Sequence, residues 1–63
     1  MFETGRTYKF VVSQPNGKSS VYTGIVLEES GGAIKIQDRD GIVRGFNIQT
    51  LLKWVEIGGD LDG

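Results

Sequence analysis

Three dipeptides, Asn16-Gly17, Gly31-Gly32 and Asp40-Gly41, cut this chain into short pieces. Asn-Gly, Gly-Gly and Asp-Gly are strong local hairpin signals, because their residues tolerate the positive φ angles of tight turns. The pieces between them carry strand patterning. In Thr7–Ser13, aromatic and β-branched residues alternate with polar ones, placing Tyr8, Phe10 and Val12 on one face and Thr7, Lys9, Val11 and Ser13 on the other. The first set is the expected core face. Pro15 lacks an N–H and helps to stop this strand.

Residues 19–29 read as a second strand, longer than the usual ~5–6 residues and interrupted by Gly24. A glycine inside a strand marks a bulge, a bend or a close backbone approach; a bend serving two halves of a small barrel is the expectation here. Tyr22 and Val26 share one face of this strand, and Val21, Ile25 and Leu27 the other. Residues 33–38 form a third strand with Ile34 and Ile36 inward. Residues 42–48 form a fourth with Phe46 and Ile48 inward and Arg44 near the rim. Ile48, Leu51 and Leu52 have helical spacing in a run too short for an α-helix, so a single 3-10 turn is expected there. Residues 53–57 form the fifth strand, with Val55 and Ile57 on one face and Trp54 and Glu56 on the other. Residues 1–57 then make one domain, and residues 58–63, rich in glycine and aspartate, a frayed tail.

Sixty-three residues bury only about 60% of the surface that the unfolded chain exposes. Such a domain needs a staple, a partner or an efficient β core. No cysteine is present, so neither a disulfide nor a Cys-based zinc site can be the staple, and no histidine offers the commonest nitrogen ligand. The first residues lack the apolar segment of a signal peptide, and no apolar run approaches the ~20 residues of a membrane span. The expectation is a cytoplasmic protein with no membrane partner. Net charge is −1; setting aside Asp60 and Asp62 leaves 6 acidic residues against 7 basic ones. A near-neutral body lacks the basic excess of a dedicated duplex-DNA binder.

The layout resembles the SH3-like small barrels, a group that includes Sm-like, Tudor-like and KOW-type domains. The likeness covers roughly residues 4–57. It rests on the bent strand Tyr22-Thr23-Gly24-Ile25-Val26, on Ile34-Lys35-Ile36-Gln37-Asp38 with its Asp40-Gly41 turn, and on Ile48-Gln49-Thr50-Leu51-Leu52 before the last strand. It is a likeness of fold, and it implies an all-β, five-stranded antiparallel SH3-like barrel with one 3-10 turn before the last strand. Two departures limit what carries over. Pro15-Asn16-Gly17-Lys18 is too short for the acidic, aromatic loop with which SH3 domains bind proline-rich peptides. Arg44-Gly45-Phe46-Asn47 stands where bacterial Sm-like RNA chaperones have a Tyr-Lys-His triplet.

The missing histidine and cysteine remove the commonest general base and the thiol nucleophile. Glu28 and Glu29 point to opposite strand faces. Asp38 and Asp40 flank a turn, where aspartate bonds to its own backbone. Neither pair suggests catalysis, and nothing suggests a cofactor. A binding module remains. Single-strand nucleic-acid binders combine basic grooves with aromatic platforms; here Lys9, Lys35, Arg39, Arg44 and Lys53 are the candidate phosphate contacts, and Trp54 or Tyr22 the candidate stacking residues. Scattered lysines also serve as plain solvating surface or as guards on edge strands. Trp54 either covers the open end of the barrel or is exposed for stacking or contact. The alternative is a protein-interaction or homo-oligomerisation module built on an apolar patch of Phe2, Leu52 and Trp54, using the edges offered by the fourth and fifth strands. Among homo-oligomers a C2 dimer is the commonest form.

Overall fold

The computed structural model describes residues 2–58. Five strands, β1 (Thr7–Ser13), β2 (Ser19–Ser30), β3 (Ala33–Gln37), β4 (Val43–Asn47) and β5 (Leu51–Gly58), form one sheet in the order β4-β3-β2-β1-β5. Every pairing is antiparallel. The three turns form where the dipeptides place them. Asp38 shows how: its Oδ1 accepts the N–H groups of Asp40 and Ile42, each at 3.0 Å, while its own carbonyl accepts from Gly41 at 2.9 Å.

The expected core face of β1 is the centre of the molecule. Tyr8, Phe10 and Val12 are buried together with Phe2, Val26, Ile34 and Ile36, and Tyr22, Phe46, Ile48 and Leu51 pack around them. Each fully buried side chain of this size contributes about 1.5–3 kcal/mol relative to leaving it in water. β1 holds its place because it is hydrogen-bonded on both sides, to β2 and to β5.

Gly24 lies in the middle of β2. A Cβ there would lie 2.7 Å from the carbonyl oxygen of Gln37 and 3.2 Å from Cδ1 of Ile36. The glycine thus marks a close approach of the end of β3. Tyr22 and Val26 face the core, while Val21 and Leu27 lie exposed on the other side. Beyond Val26 the pairing with β3 slips by one residue at Leu27. Such a bulge reverses which residues face inward. It puts Glu29 opposite Ile34, and the Glu29 carboxylate then accepts the N–H of Phe2 at 2.9 Å.

The 3-10 turn spans Ile48–Thr50. Asn47 caps it, its Oδ1 accepting from Gln49 N–H at 2.9 Å, and Ile48 N–H donates to the Gly32 carbonyl. The turn is therefore clipped to the β2–β3 hairpin before the chain enters β5.

The five antiparallel strands and the 3-10 turn are as expected, and hydrogen bonding does not close the sheet. β4 and β5 end the strand order on opposite sides, and among the described residues no ladder joins them. The sheet curls over its core, and the segment before β1 fills the open side. Gly5 N–H donates to the Val26 carbonyl and Arg6 accepts from Val26 N–H, which lays Phe2 across the core. No helix among the described residues is long and apolar enough to cross a membrane.

Candidate functional site

β5 sets the properties of the most distinctive surface. Its pairing with β1 slips twice, at Leu52 and at Ile57. The first slip brings Trp54 opposite Phe10 and turns it toward the core side, whereas Val55 lies opposite Lys9 on the outer face. On the last strand in the order, Trp54 has no further strand beside it among the described residues. Its ring packs edge-to-face on Phe2, centroids 5.4 Å apart, yet the residue stays 48% exposed. It closes the core at the sheet margin and also offers surface. Leu52, Val55 and Ile57 are 59%, 56% and 56% exposed.

All six aromatic residues belong to one connected series of ring contacts. From Trp54 it runs through Phe2 to Tyr8 and Phe10, then to Phe46 and Tyr22. The three contacts of Phe2 have centroids 5.2–5.4 Å apart and interplanar angles of 77–80°. These are the edge-to-face geometries that aromatic quadrupoles favour. At the far end, Arg44 Cζ lies 5.4 Å from the Tyr22 ring centroid and its Nε lies 3.4 Å from Asp38. Arg44 stands opposite Ile36, at the rim where the alternation places it. Phe2, a candidate for the interface, is buried beneath Trp54; it supports that surface from below and presents none itself.

The candidate phosphate contacts fall into three separate places. Lys9 and Lys53 line a shallow depression on the outer face with Val11, Val21, Trp54 and Val55. Lys35, on β3, is 3.8 Å from Glu28. Arg39 lies in the β3–β4 turn beside Asp38 and Asp40, close to Arg44 in sequence, and Arg44 holds the Tyr22 ring. Of the two candidate stacking residues, Trp54 sits on the fifth strand and Tyr22 on the second; they occupy opposite ends of the aromatic series. Lys9 and Lys53 have no carboxylate within ion-pair distance among the described residues.

Asp38, Glu56 and Glu29 use their carboxylates structurally. Asp38 caps its turn and pairs with Arg44. Glu56 takes both Nε and Nη2 of Arg6, and this contact holds the Arg6 guanidinium above its ordinary range. The Phe2 N–H, more than any other cause, holds Glu29 below the ordinary carboxylate value. Among the described residues no three acidic groups gather as a metal site would require.

Sequence reasoning missed the two slips in β5 and with them the side on which Trp54 lies. The adjacent Leu51 and Leu52 are both apolar, so the hydrophobic pattern does not show which of them faces inward. No family model, no curated protein and no solved structure matches the chain.

Proposed function

We propose that this chain is a small non-enzymatic interaction module that pairs with a second copy of itself along β5. One observation carries the reading. β5 is an eight-residue strand whose outer edge pairs with no strand among the described residues, and Leu52, Trp54, Val55 and Ile57 on it are each about half exposed. An edge of this length that keeps apolar side chains in water is a template for strand addition. A C2 arrangement satisfies it, since two antiparallel β5 strands would present the same surface to each other. The strand order and the 3-10 turn before β5 support an SH3-like arrangement, with the open side available for assembly.

The nucleic-acid reading needs a continuous basic track with stacking platforms. Its seven candidate residues divide among three places, and Lys35 and Arg44 already face carboxylates. The interface reading is therefore preferred.

Mass measurement by light scattering on two variants tests it. Leu52→Lys places a charge on the β5 edge and is expected to leave a monomer of 6.9 kDa. Val43→Lys makes the same change on β4 and is expected to leave the dimer intact. If both variants dissociate, the contact runs from β4 to β5 and the C2 reading is wrong. If neither does, β5 is not the interface.

A further inference from the structure

The outer face of the sheet is independent of the β5 edge, because strands added in the plane of the sheet leave its faces open. On that face β1 and β5 form a checkerboard: Lys9 is opposite Val55, and Val11 is opposite Lys53. Val21 of β2 stands beside Val11 and extends the apolar floor. Val21 and Val55 are more than half exposed. The other two cations on strands behave differently: Lys35 faces Glu28 and Arg44 faces Asp38, and Arg6 just before β1 holds Glu56. Lys9 and Lys53 alone flank an aliphatic floor, and the described residues supply no carboxylate to either.

From this juxtaposition we propose that the depression over Val11, Val21 and Val55 docks an extended acidic segment of a partner protein, its two carboxylates meeting Lys9 and Lys53. The register follows from strand geometry. Diagonal neighbours on one sheet face are about 7–8 Å apart, so Lys9 and Lys53 have that spacing. In an extended peptide, side chains two residues apart share a face and are separated by about 6.5–7 Å. Two acidic residues at positions i and i+2 thus match the two lysines. The occupant has the pattern acid-x-acid. A nucleic-acid strand needs a continuous basic track with several aromatic platforms, whereas this depression offers two lysines, three valines and one aromatic residue, Trp54.

The test uses the isotope-labelled full chain and a synthetic peptide, acetyl-Asp-Ser-Asp-Ser-Leu-amide, at up to about 1 mM, the affinity range of short peptides with few contacts. The expected result is saturable amide shifts at Lys9, Val11, Val21, Lys53 and Val55, weakening as salt rises. Lys9→Glu or Lys53→Glu should weaken binding by about tenfold or more, because a like charge then opposes a carboxylate. A peptide with Asn for both Asp should bind more weakly. The Leu52→Lys monomer should bind as well as the parent chain, which separates this proposal from the β5 interface. Absence of shifts, shifts centred elsewhere, equal binding by the Asn peptide, or tighter binding of oligothymidylate at the same amides would overturn it.

Discussion

Gly24→Ala is the substitution that most sharply probes the close approach of β3 to β2. Gly24 lies inside β2 with no positive φ, so alanine meets no backbone strain. On conformational entropy alone the change should stabilise the domain by about 0.4–1 kcal/mol. The new Cβ would, however, stand 2.7 Å from the Gln37 carbonyl oxygen and 3.0 Å from its carbon. Backbone on a paired strand cannot swing aside as a flexible side chain would. Forcing extra volume into a packed site costs typically ~1–3 kcal/mol, so the net expectation is a loss of roughly 1–2 kcal/mol. For a domain of this size each kcal/mol moves Tm by about 4–8 °C, giving a fall of roughly 5–15 °C. Thermal and urea unfolding followed by circular dichroism, in the Leu52→Lys background so that assembly does not contribute, measures it. Gly45→Ala is the control, since its Cβ would meet only the Ile34 carbonyl at an ordinary 3.7 Å. Gly45→Ala should be neutral or stabilising. If Gly24→Ala matches or exceeds its parent in stability, the close passage of β3 over β2 is wrong.

Two further expectations follow from the segment before β1. Phe2→Ala removes a ring that touches Tyr8, Phe10 and Trp54; buried Phe→Ala changes cost about 3–5 kcal/mol, so most of the stability of so small a domain should be lost, and a variant with a near-parental melting curve would show that Phe2 does not fill the open side. Glu29 has a folded pKa below its ordinary value, so its contribution to stability is present above the ordinary carboxylate range, near pH 4.3, and is lost as pH falls through the lowered folded value; Glu29→Gln should flatten that part of the acid limb in pH-dependent urea titrations, and an unchanged limb would contradict the Phe2–Glu29 contact.

Much of this fold is legible in the sequence. The turn dipeptides place all three hairpin turns, and strict alternation in Tyr8, Phe10 and Val12 identifies the core face of β1. Both rest on local chemistry: positive φ at glycine and the two-residue period of a strand. What sequence alone could not give depends on pairing between distant strands. The slips at Leu27, Leu52 and Ile57 each reverse the alternation, and a bulge leaves no mark on the hydrophobic pattern when both candidates, such as Leu51 and Leu52, are apolar. That is why Trp54 lies on the core side, opposite Phe10, and why the outer face of β5 carries Val55 and Lys53. Closure is not legible for a related reason: a count of strands does not show whether the two outermost strands share a ladder. Phe2 could be read as surface or core from its position in the chain, and the Val26 hydrogen bonds that fold it inward join residues far apart in sequence.

Sedimentation equilibrium of the unmodified chain, run from low to high micromolar concentration, tests the central claim most directly. Pairing along β5 predicts a mass that rises with concentration toward twice 6.9 kDa and goes no further, because a C2 contact closes on itself. A constant 6.9 kDa across the whole range would contradict it, as would growth beyond the dimer.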